Sequence, residues 1–317
     1  MQKLVLRGTK PYSYHMEQEK KYVLVITGPT SVGKSDVAVR LAKEFNGEII
    51  SADSRQVYAG LDIGTGKITT EEMQGIPHFG LDLVDPQTVY SMADFQTYAF
   101  KKIQEIHSRG KVPILCGGTG FFIQSIVDNL LLPDVEPNET LREELKMKSA
   151  DELFQILKEI NPKKASEIDS QNPHRLIRAI EITKALGTVP DKKKRDTPYL
   201  FIQIGLKLPK EELHTKIKTR LLHRIKEGMT EEVSNLHKEG LSWKRLEELG
   251  LEYRYTALYL QNKMSKQEML KAIETKSFQY AKRQITWFKK DARIIWFNPS
   301  DYEKIVSFIK KEKKRDL

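Results

Sequence analysis

With 317 residues, 39% of them hydrophobic and 30% charged, the chain is long enough for one large domain or two smaller ones with sizeable cores. No apolar run approaches the length of a bilayer span and no charged-then-apolar leader is visible, while the single Cys116 excludes an internal disulfide or a cysteine-based zinc site. A cytoplasmic protein is expected, and its formal net charge of +10 favours a polyanionic partner without specifying one.

Residues 1–20 mix polar and aromatic side chains with Pro11 and lack any periodicity that would dock a helix, so a loose N-terminal extension is expected there. Met16 stands where translation would begin if residues 1–15 were not part of the native protein. The core starts with an apolar β-type run, residues 23–26, which breaks into a loop of Gly28, Pro29, Thr30, Ser31, Val32, Gly33, Lys34 and Ser35. The pattern G-x-x-x-x-G-K-[ST] lets successive backbone N–H groups turn inward around a phosphate, backs them with the positive end of the next helix and adds a lysine point charge. Ser35 is the position that would hold Mg²⁺ against those phosphates. The helix that follows carries Val37, Leu41 and Phe45 at apolar positions, which favours this reading over an ordinary Gly-rich turn.

A second strand, residues 48–51, ends near Asp53. In a doubly wound sheet the carboxyl ends of the strands face the ligand crevice, so Asp53 is a candidate for chemistry; a helix cap formed by Asp53 or Ser54 is the competing reading. Gly60, Gly64, Thr65, Gly66 and Lys67 make a second donor-rich loop. A short strand is predicted over 80–84, a helix over 91–109, and a strand over 112–116 that runs into Gly117, Gly118, Thr119 and Gly120. Most P-loop ATPases carry an acidic residue at the end of that strand to orient Mg²⁺. Its absence argues against an ATPase and for close approach of backbone to a ligand.

From 133 to 197 the sequence becomes strongly charged and helical, with two Pro-marked breaks and no strand: an inserted helical subdomain between core segments 21–132 and 198–317. Within it Arg175 and Arg178 share a helix face beside His174, which is either a solvated basic face or a nucleic-acid contact. The run DKKKRD, residues 191–196, reads as a charged surface loop. A buried strand, residues 199–206, returns the chain to the sheet, and a helix carrying Arg220 and Arg224 ends near Gly228. A later helix interleaves Lys282, Arg283, Lys289 and Lys290 with Tyr280, Trp287 and Phe288, a mixture suited to phosphates and unpaired bases, while Ile285 and Phe288 also suit a core face. The last strand, ARIIWFN, and a basic tail helix close the chain. The expected fold class is α/β: a P-loop NTPase-like parallel sheet flanked by helices, with an inserted helical subdomain.

The motifs GPTSVGKS, SADSRQVYAGLDIGTGK, IPHFGLDLVDP with VYSMADF, GGTGFF, NPHRLIRAIE and AKRQITWFKK occur in one order over about residues 22 to 290. In this series the chain resembles the bacterial-type tRNA dimethylallyltransferases, or isopentenylpyrophosphate:tRNA transferases. The resemblance implies transfer of the dimethylallyl group of dimethylallyl diphosphate to N6 of the adenosine just 3′ of a tRNA anticodon, with Mg²⁺ as cofactor, in a cytoplasmic protein that is a monomer. Residue by residue, it implies that residues 28–35 cradle the donor diphosphate, that Lys34 and Arg220 neutralise the leaving group, that Mg²⁺ sits near Ser35, and that Asp53 is the base. It further implies that Asp53, Ser54, Arg55, Gln56 and Thr119 hold the target nucleotide. The anticodon stem-loop would be contacted by His174, Arg175, Leu176, Ile177 and Arg178, by Lys282, Arg283, Gln284, Ile285, Thr286, Trp287, Phe288 and Lys289, and by Arg142.

Three departures from the family pattern stand out. Gly66 replaces a common Ala and reads as a harmless small-for-small exchange; Arg224 occupies an often apolar position; and LGLEYRY differs from the usual G-Y-[KR] core, so no tRNA contact is carried onto residues 252–254. Two other readings are open on the residues alone. A free-adenylate isopentenyltransferase would share the loop and Asp53 without needing the basic insertion, and an ATP-dependent P-loop RNA-binding or kinase-like protein would need the missing acidic strand end.

Overall fold

The computed structural model describes residues 21–190 and 193–315. The expectations for residues 1–20, Met16 included, and for Asp191 and Lys192 of the DKKKRD run lie outside the described residues.

Six strands, β1 (Lys21–Thr27), β2 (Gly47–Ser51), β3 (His78–Phe79), β4 (Val112–Gly117), β5 (Tyr199–Leu206) and β6 (Ile295–Phe297), form one sheet in the order β3-β2-β4-β1-β5-β6, with every pairing parallel. Parallel strands need crossovers, and their helices cover both faces, which is why β1 reads as an unbroken apolar run. Val23 and Val25 enter one core with Ile50, Leu115 and Phe95, whereas Leu24 and Ile26 enter the other with Ile114, Leu41 and Ile305. The alternation is the two-residue period of a strand expressed on two buried faces.

The crossovers of the core are α1 (Lys34–Glu44), the short α2 (Thr70–Met73), α3 (Met92–Ser108) and α4 (Gly120–Val127). α3 starts at a capping box in which Ser91 accepts from the Asp94 N–H and the Asp94 carboxylate accepts from Ser91 N–H. The strand expected over 80–84 is displaced to β3, and Val84 makes only an isolated bridge to Tyr58. Gly80 and Asp82 both take positive φ, at 83° and 51°, and so turn the chain out of the sheet.

Four helices make the insertion: α5 (Glu139–Lys146), α6 (Ala150–Ile160), α7 (Pro162–Glu167) and α8 (Pro173–Leu186). Pro162 and Pro173 are helix starts, each following an asparagine cap, Asn161 and Asn172. Leu145, Leu153, Leu157, Leu176 and Ile180 give these helices a core of their own. The chain leaves and re-enters the main domain side by side: Leu131 N–H donates to Lys193 O at 2.8 Å and Arg195 N–H to Asn129 O at 3.0 Å. The buried Asp128 carboxylate ties this neck down by accepting from Lys194 and Arg293, each at 2.9 Å.

The rest of the main domain is helical: α9 (Lys210–Lys226), α10 (Met229–Lys238), α11 (Trp243–Glu248), α12 (Leu251–Leu260), α13 (Lys266–Phe288) and, after β6, α14 (Tyr302–Arg315). Among the described residues no helix is long and apolar enough to cross a membrane.

Glu181 on α8 is the charged centre of the insertion. Its carboxylate accepts from Asn138 N–H at 2.6 Å, from Arg142 Nε at 3.0 Å and Nη2 at 3.1 Å, and from Arg178 Nη1. Burial alone would raise its pKa, but these partners hold it below the ordinary glutamate value. The sign follows: a depressed carboxylate stabilises the fold above its unfolded pKa, and that contribution is lost as pH falls through the folded value. Glu181→Gln is expected to destabilise the insertion by about 1.5–3 kcal/mol at neutral pH. Limited proteolysis within residues 139–186 against urea checks this, with the wild-type advantage disappearing below roughly pH 4. Equal protection of both proteins at pH 7 would show that the carboxylate does not hold the helices together.

Candidate active site

β1 lies between β4 and β5, and the chain leaves its carboxyl end and that of β4 toward opposite sides, which opens a crevice at the switch point. The loop after β1 needs unusual backbone. Gly28 has φ 146°, and a Cβ on it would stand 2.6 Å from Leu206 O at the end of β5. Gly33, φ 96°, caps α1, so the amides of the first turn face the crevice. Lys34 Nζ folds back to donate to Pro29 O at 2.7 Å.

One side chain from α13 fastens this loop. Gln284 Oε1 accepts from Thr30 N–H at 2.8 Å, and Gln284 Nε2 donates to Gly118 O at 2.8 Å on the loop after β4. Gln284 is buried and bonds the protein through both ends of its amide, while its side chain also borders the cavity described below.

Asp53 stands two residues beyond β2. Its Oδ1 accepts from Arg55 N–H at 2.9 Å, so it closes a turn and caps no helix. Ala52 is stitched to the end of β4 by N–H donation to Cys116 O at 2.8 Å, and Ala52 O accepts from Thr119 N–H at 3.2 Å. Gly117 permits the approach, since a Cβ there would lie 2.2 Å from Ala52 O. Thr119 Oγ1 accepts from Ser54 N–H at 3.0 Å. Gln56 accepts from Ser51 Oγ at 2.9 Å and donates to Gly66 O at 3.2 Å, joining the Asp53 turn to the second glycine loop.

That second loop is held by charged side chains, of which Glu232 carries no signal in the sequence. Glu232 of α10 accepts from the N–H groups of Asp62, Ile63 and Gly64 at 3.0, 2.7 and 3.0 Å and from Tyr253 Oη at 2.6 Å. Arg224 of α9 is buried, donating from Nη1 to Gly64 O and to Glu252 Oε1, each at 3.1 Å, and Arg220 donates to Gly66 O at 3.3 Å. The only early signal for Arg224 was its polar character at an often apolar position.

These elements surround a cavity of about 930 Å³ lined by Thr30, Ser31, Gly33, Lys34 and Ser35, by Asp53 and Gln56, and by Arg220, Arg224 and Tyr280. Burial pulls the Lys34 ammonium down to about 8, against the pull of Asp53 and with the repulsion of Arg220. Burial likewise lowers the Arg220 guanidinium to about 10, and Arg224 adds to the effect. Two desolvated cations lining one cavity suit a compact polyanion. The Cys116 thiol also lines the cavity, but burial pushes it up to about 12 and leaves it unreactive as a nucleophile.

The hydroxyl of Ser35, exposed on the first turn of α1, makes no hydrogen bond among the described residues, and no group of three or more His, Cys, Asp or Glu there could hold a metal. A hard divalent cation with ligands from Ser35, phosphate oxygens and water fits that environment.

The residues expected to grip RNA divide by burial. His174 and Arg175 are exposed, as are Lys282, Arg283, Thr286 and Lys289 along α13; Trp287 is half-buried. Leu176 and Phe288 are buried in apolar cores and Ile285 packs against one, which leaves their side chains turned to the protein; Ile177 is buried too but also lines the hollow described next. Arg142 and Arg178 are drawn inward to Glu181, yet with Lys146, Lys148, His174 and the exposed Val89 of the main domain they line a second hollow of about 430 Å³. In the LGLEYRY stretch, Glu252 and Tyr253 are structural partners and Arg254 Nε donates to Glu247 O at 2.8 Å.

A family model described as IPP transferase matches residues 56–291. The chain is 45% identical over 277 residues to "tRNA dimethylallyltransferase 2" of Treponema denticola, covering 86% of this chain and 93% of that protein. It is 40% identical over 284 residues to "tRNA dimethylallyltransferase" of Anoxybacillus flavithermus, covering 88% and 91%. Among solved structures, the full-length tRNA isopentenylpyrophosphate transferase of Bacillus halodurans superposes with a TM-score of 0.72 at 36% identity, covering 94% of this chain and 98% of that one. A eukaryotic dimethylallyltransferase acting on tRNA also gives 0.72, at 25% identity, with 89% and 75% covered.

Gly66 overturns the reading of a harmless small-for-small site. It takes φ 60°, and a Cβ on it would stand 1.8 Å from Arg224 Nη2 and 2.0 Å from Arg220 Nη2. The glycine and Arg224 are therefore one arrangement: the guanidinium occupies the space a methyl would need. Gly66→Ala is expected to displace both arginines and weaken inorganic diphosphate binding about tenfold. Calorimetric titration measures it; unchanged affinity would show that the guanidinium positions do not matter to the anion.

Proposed function

The chain belongs to the IPP transferase family, and on that premise we propose how its own residues carry out transfer of a dimethylallyl group to tRNA. The donor is dimethylallyl diphosphate, the acceptor is N6 of the adenosine 3′-adjacent to the anticodon, and diphosphate leaves. The observation that carries this reading is that Lys34, Arg220 and Asp53 line one and the same cavity.

The chemistry asks for both sides. An amine conjugated to a purine is a poor nucleophile, so it gains from a carboxylate that accepts its hydrogen bond as the new C–N bond forms and then takes the proton. Asp53 has Oδ1 engaged by the Arg55 N–H, which fixes the carboxylate, and no described hydrogen bond uses Oδ2. At the other reactant the allylic C–O bond loosens, so negative charge grows on the departing diphosphate, where the loop amides, Lys34 and Arg220 are aimed. On arrival of the donor, Lys34 exchanges Pro29 O for a phosphate oxygen. Mg²⁺, held by Ser35 and the donor, would add charge neutralisation. The target adenine must leave its stack to reach Asp53, with Ser54, Arg55, Gln56 and Thr119 around it. Every one of these groups belongs to one chain, so the site is complete in a monomer, and a cytoplasmic setting suits a tRNA substrate.

Asp53→Ala is expected to lower transfer by about 10²–10⁴-fold with tRNA affinity retained. Mass spectrometry of digested nucleosides, after incubation with labelled donor and either unmodified tRNA or AMP, checks both acceptor and base. Near wild-type transfer by the variant would remove Asp53 from the role, and label on AMP alone would move the chain to free adenylate.

The Lys34 value supplies a pH test. Its depressed pKa of about 8 means that the protonated form, which binds an anion, is lost from the empty site as pH rises through that value. The KM for the donor is therefore expected to climb above about pH 8, and Lys34→Arg should flatten the climb because a guanidinium stays charged. A donor KM independent of pH from 7 to 9.5 would contradict the assignment.

A further inference from the structure

We propose that Arg224 is a second guanidinium ligand of the donor diphosphate, closing with Arg220 on one phosphoryl group, and that Glu252 behind it sets how strongly it attracts the anion. The proposal rests on the reading of the cavity as a diphosphate site and adds to it two residues that the phosphate-loop motif does not contain.

Arg220 and Arg224 stand one helical turn apart on α9, so they are neighbours on one face, where like charges repel. Both line the cavity. The point where a Cβ on Gly66 would stand lies 2.0 Å from Arg220 Nη2 and 1.8 Å from Arg224 Nη2, so the tips of the two guanidinium groups meet over one glycine. Backbone carbonyls hold them there: Gly66 O accepts from Arg220 Nη2 at 3.3 Å and Gly64 O from Arg224 Nη1 at 3.1 Å. The loop that carries both carbonyls is itself braced by Glu232 and Gln56, so the pair is placed before a ligand arrives.

Among the described residues a single carboxylate is hydrogen-bonded to this pair. Glu252 accepts from Arg224 Nη1 at 3.1 Å, and it is not one of the residues that line the cavity. That bond and the one to Gly64 O both use Nη1; no described hydrogen bond uses Nη2 or Nε of Arg224, although the residue is only 8% exposed. A buried guanidinium with uncommitted N–H groups beside a second guanidinium is costly, and an oxyanion between them replaces one repulsion by two attractions. A phosphoryl group suits the position because planar N–H forks can approach its several oxygens from two sides. A diphosphate needs two cradles, and the amides of residues 28–35 with Lys34 form the other. Gly66, Arg224 and the stretch that contains Glu252, each a departure from the family pattern, therefore meet in one arrangement.

The test is calorimetric titration of the full chain with inorganic diphosphate at fixed Mg²⁺, for wild type, Arg224→Met, Glu252→Gln and the double variant. Arg224→Met should weaken binding about tenfold, the effect of losing a charge-assisted hydrogen bond to the anion. Glu252→Gln should act the other way and tighten binding about threefold, since Arg224 is released from its counter-charge. The double variant should lie within about twofold of Arg224→Met, because Glu252 acts on the ligand chiefly through Arg224. It leaves neither partner of the ion pair charged and alone, and it carries the comparison if Arg224→Met does not fold. A role confined to bracing the glycine loop predicts the opposite sign for Glu252→Gln: losing either partner would loosen the loop, and both single variants would bind more weakly. That outcome, or an affinity unchanged by Arg224→Met, would overturn the proposal. A wild-type chain that binds no inorganic diphosphate would overturn the reading of the cavity itself, a failure recognisable without any variant.

Discussion

The site depends on one buried amide. The strands β1 and β4 are adjacent, but the chains leaving them diverge, so nothing in the sheet itself keeps their two glycine loops facing each other. Gln284 does so by accepting from Thr30 N–H and donating to Gly118 O in the same plane. Only a carboxamide among side chains of that size supplies both an acceptor and a donor at its tip; a glutamate would face Gly118 O with a second acceptor, and a leucine would leave both peptide groups buried and unpaired. The helix bearing it is well chosen. Ala281 packs into the core on one face of the sheet and Phe288 into the core on the other, so α13 is fixed to both.

Charge is distributed around that frame in an unusual way. Lys34 and Arg220 are desolvated and take backbone carbonyls, Pro29 O and Gly66 O, as partners. A carbonyl satisfies a donor but leaves most of the charge uncompensated, which is why burial depresses both groups. Of the carboxylates nearby, Glu252 pairs with Arg224 and Glu232 holds three backbone amides and Tyr253, while Asp53 attracts both cations across the cavity without a hydrogen bond to either. Among the described residues neither cation therefore has an ion-pair partner, and a diphosphate in this cavity would supply one. Stability given up in the empty site becomes affinity when the ligand arrives.

Much of this frame was legible in the residues. The apolar β1 run, the loop pattern after it and the 3.6-residue periodicity of α1 are local signals, and local signals fix strands, helices and the phosphate loop. Asp53 was found by position, because the carboxyl ends of parallel strands must converge. What escaped were partners chosen by tertiary distance. Gln284 is 254 residues from Thr30 and Glu232 is 168 from Gly64, so no window of sequence joins them. The same limit hides that Leu176 and Phe288, which sit in basic-looking motifs, point into cores: charge pattern marks a helix as amphipathic, and only packing decides which residues turn outward.

The insertion carries this argument to the net charge of +10. Arg142 and Arg178, conspicuous in sequence as phosphate binders, are partly neutralised by the buried Glu181, and Lys146 is paired with Glu143 at 2.7 Å. The hollow they line is therefore less positive than its composition, and Lys148 and His174 supply its uncommitted basic groups among the described residues. Val89 of the main domain closes the hollow's other side, and the neck between the two parts is pinned by Asp128 to Lys194 and Arg293. A polyanion seated there would touch both parts at once. Its affinity depends on the fixed spacing across the neck as much as on the number of cations, because pre-organised charges need not be gathered at the moment of binding.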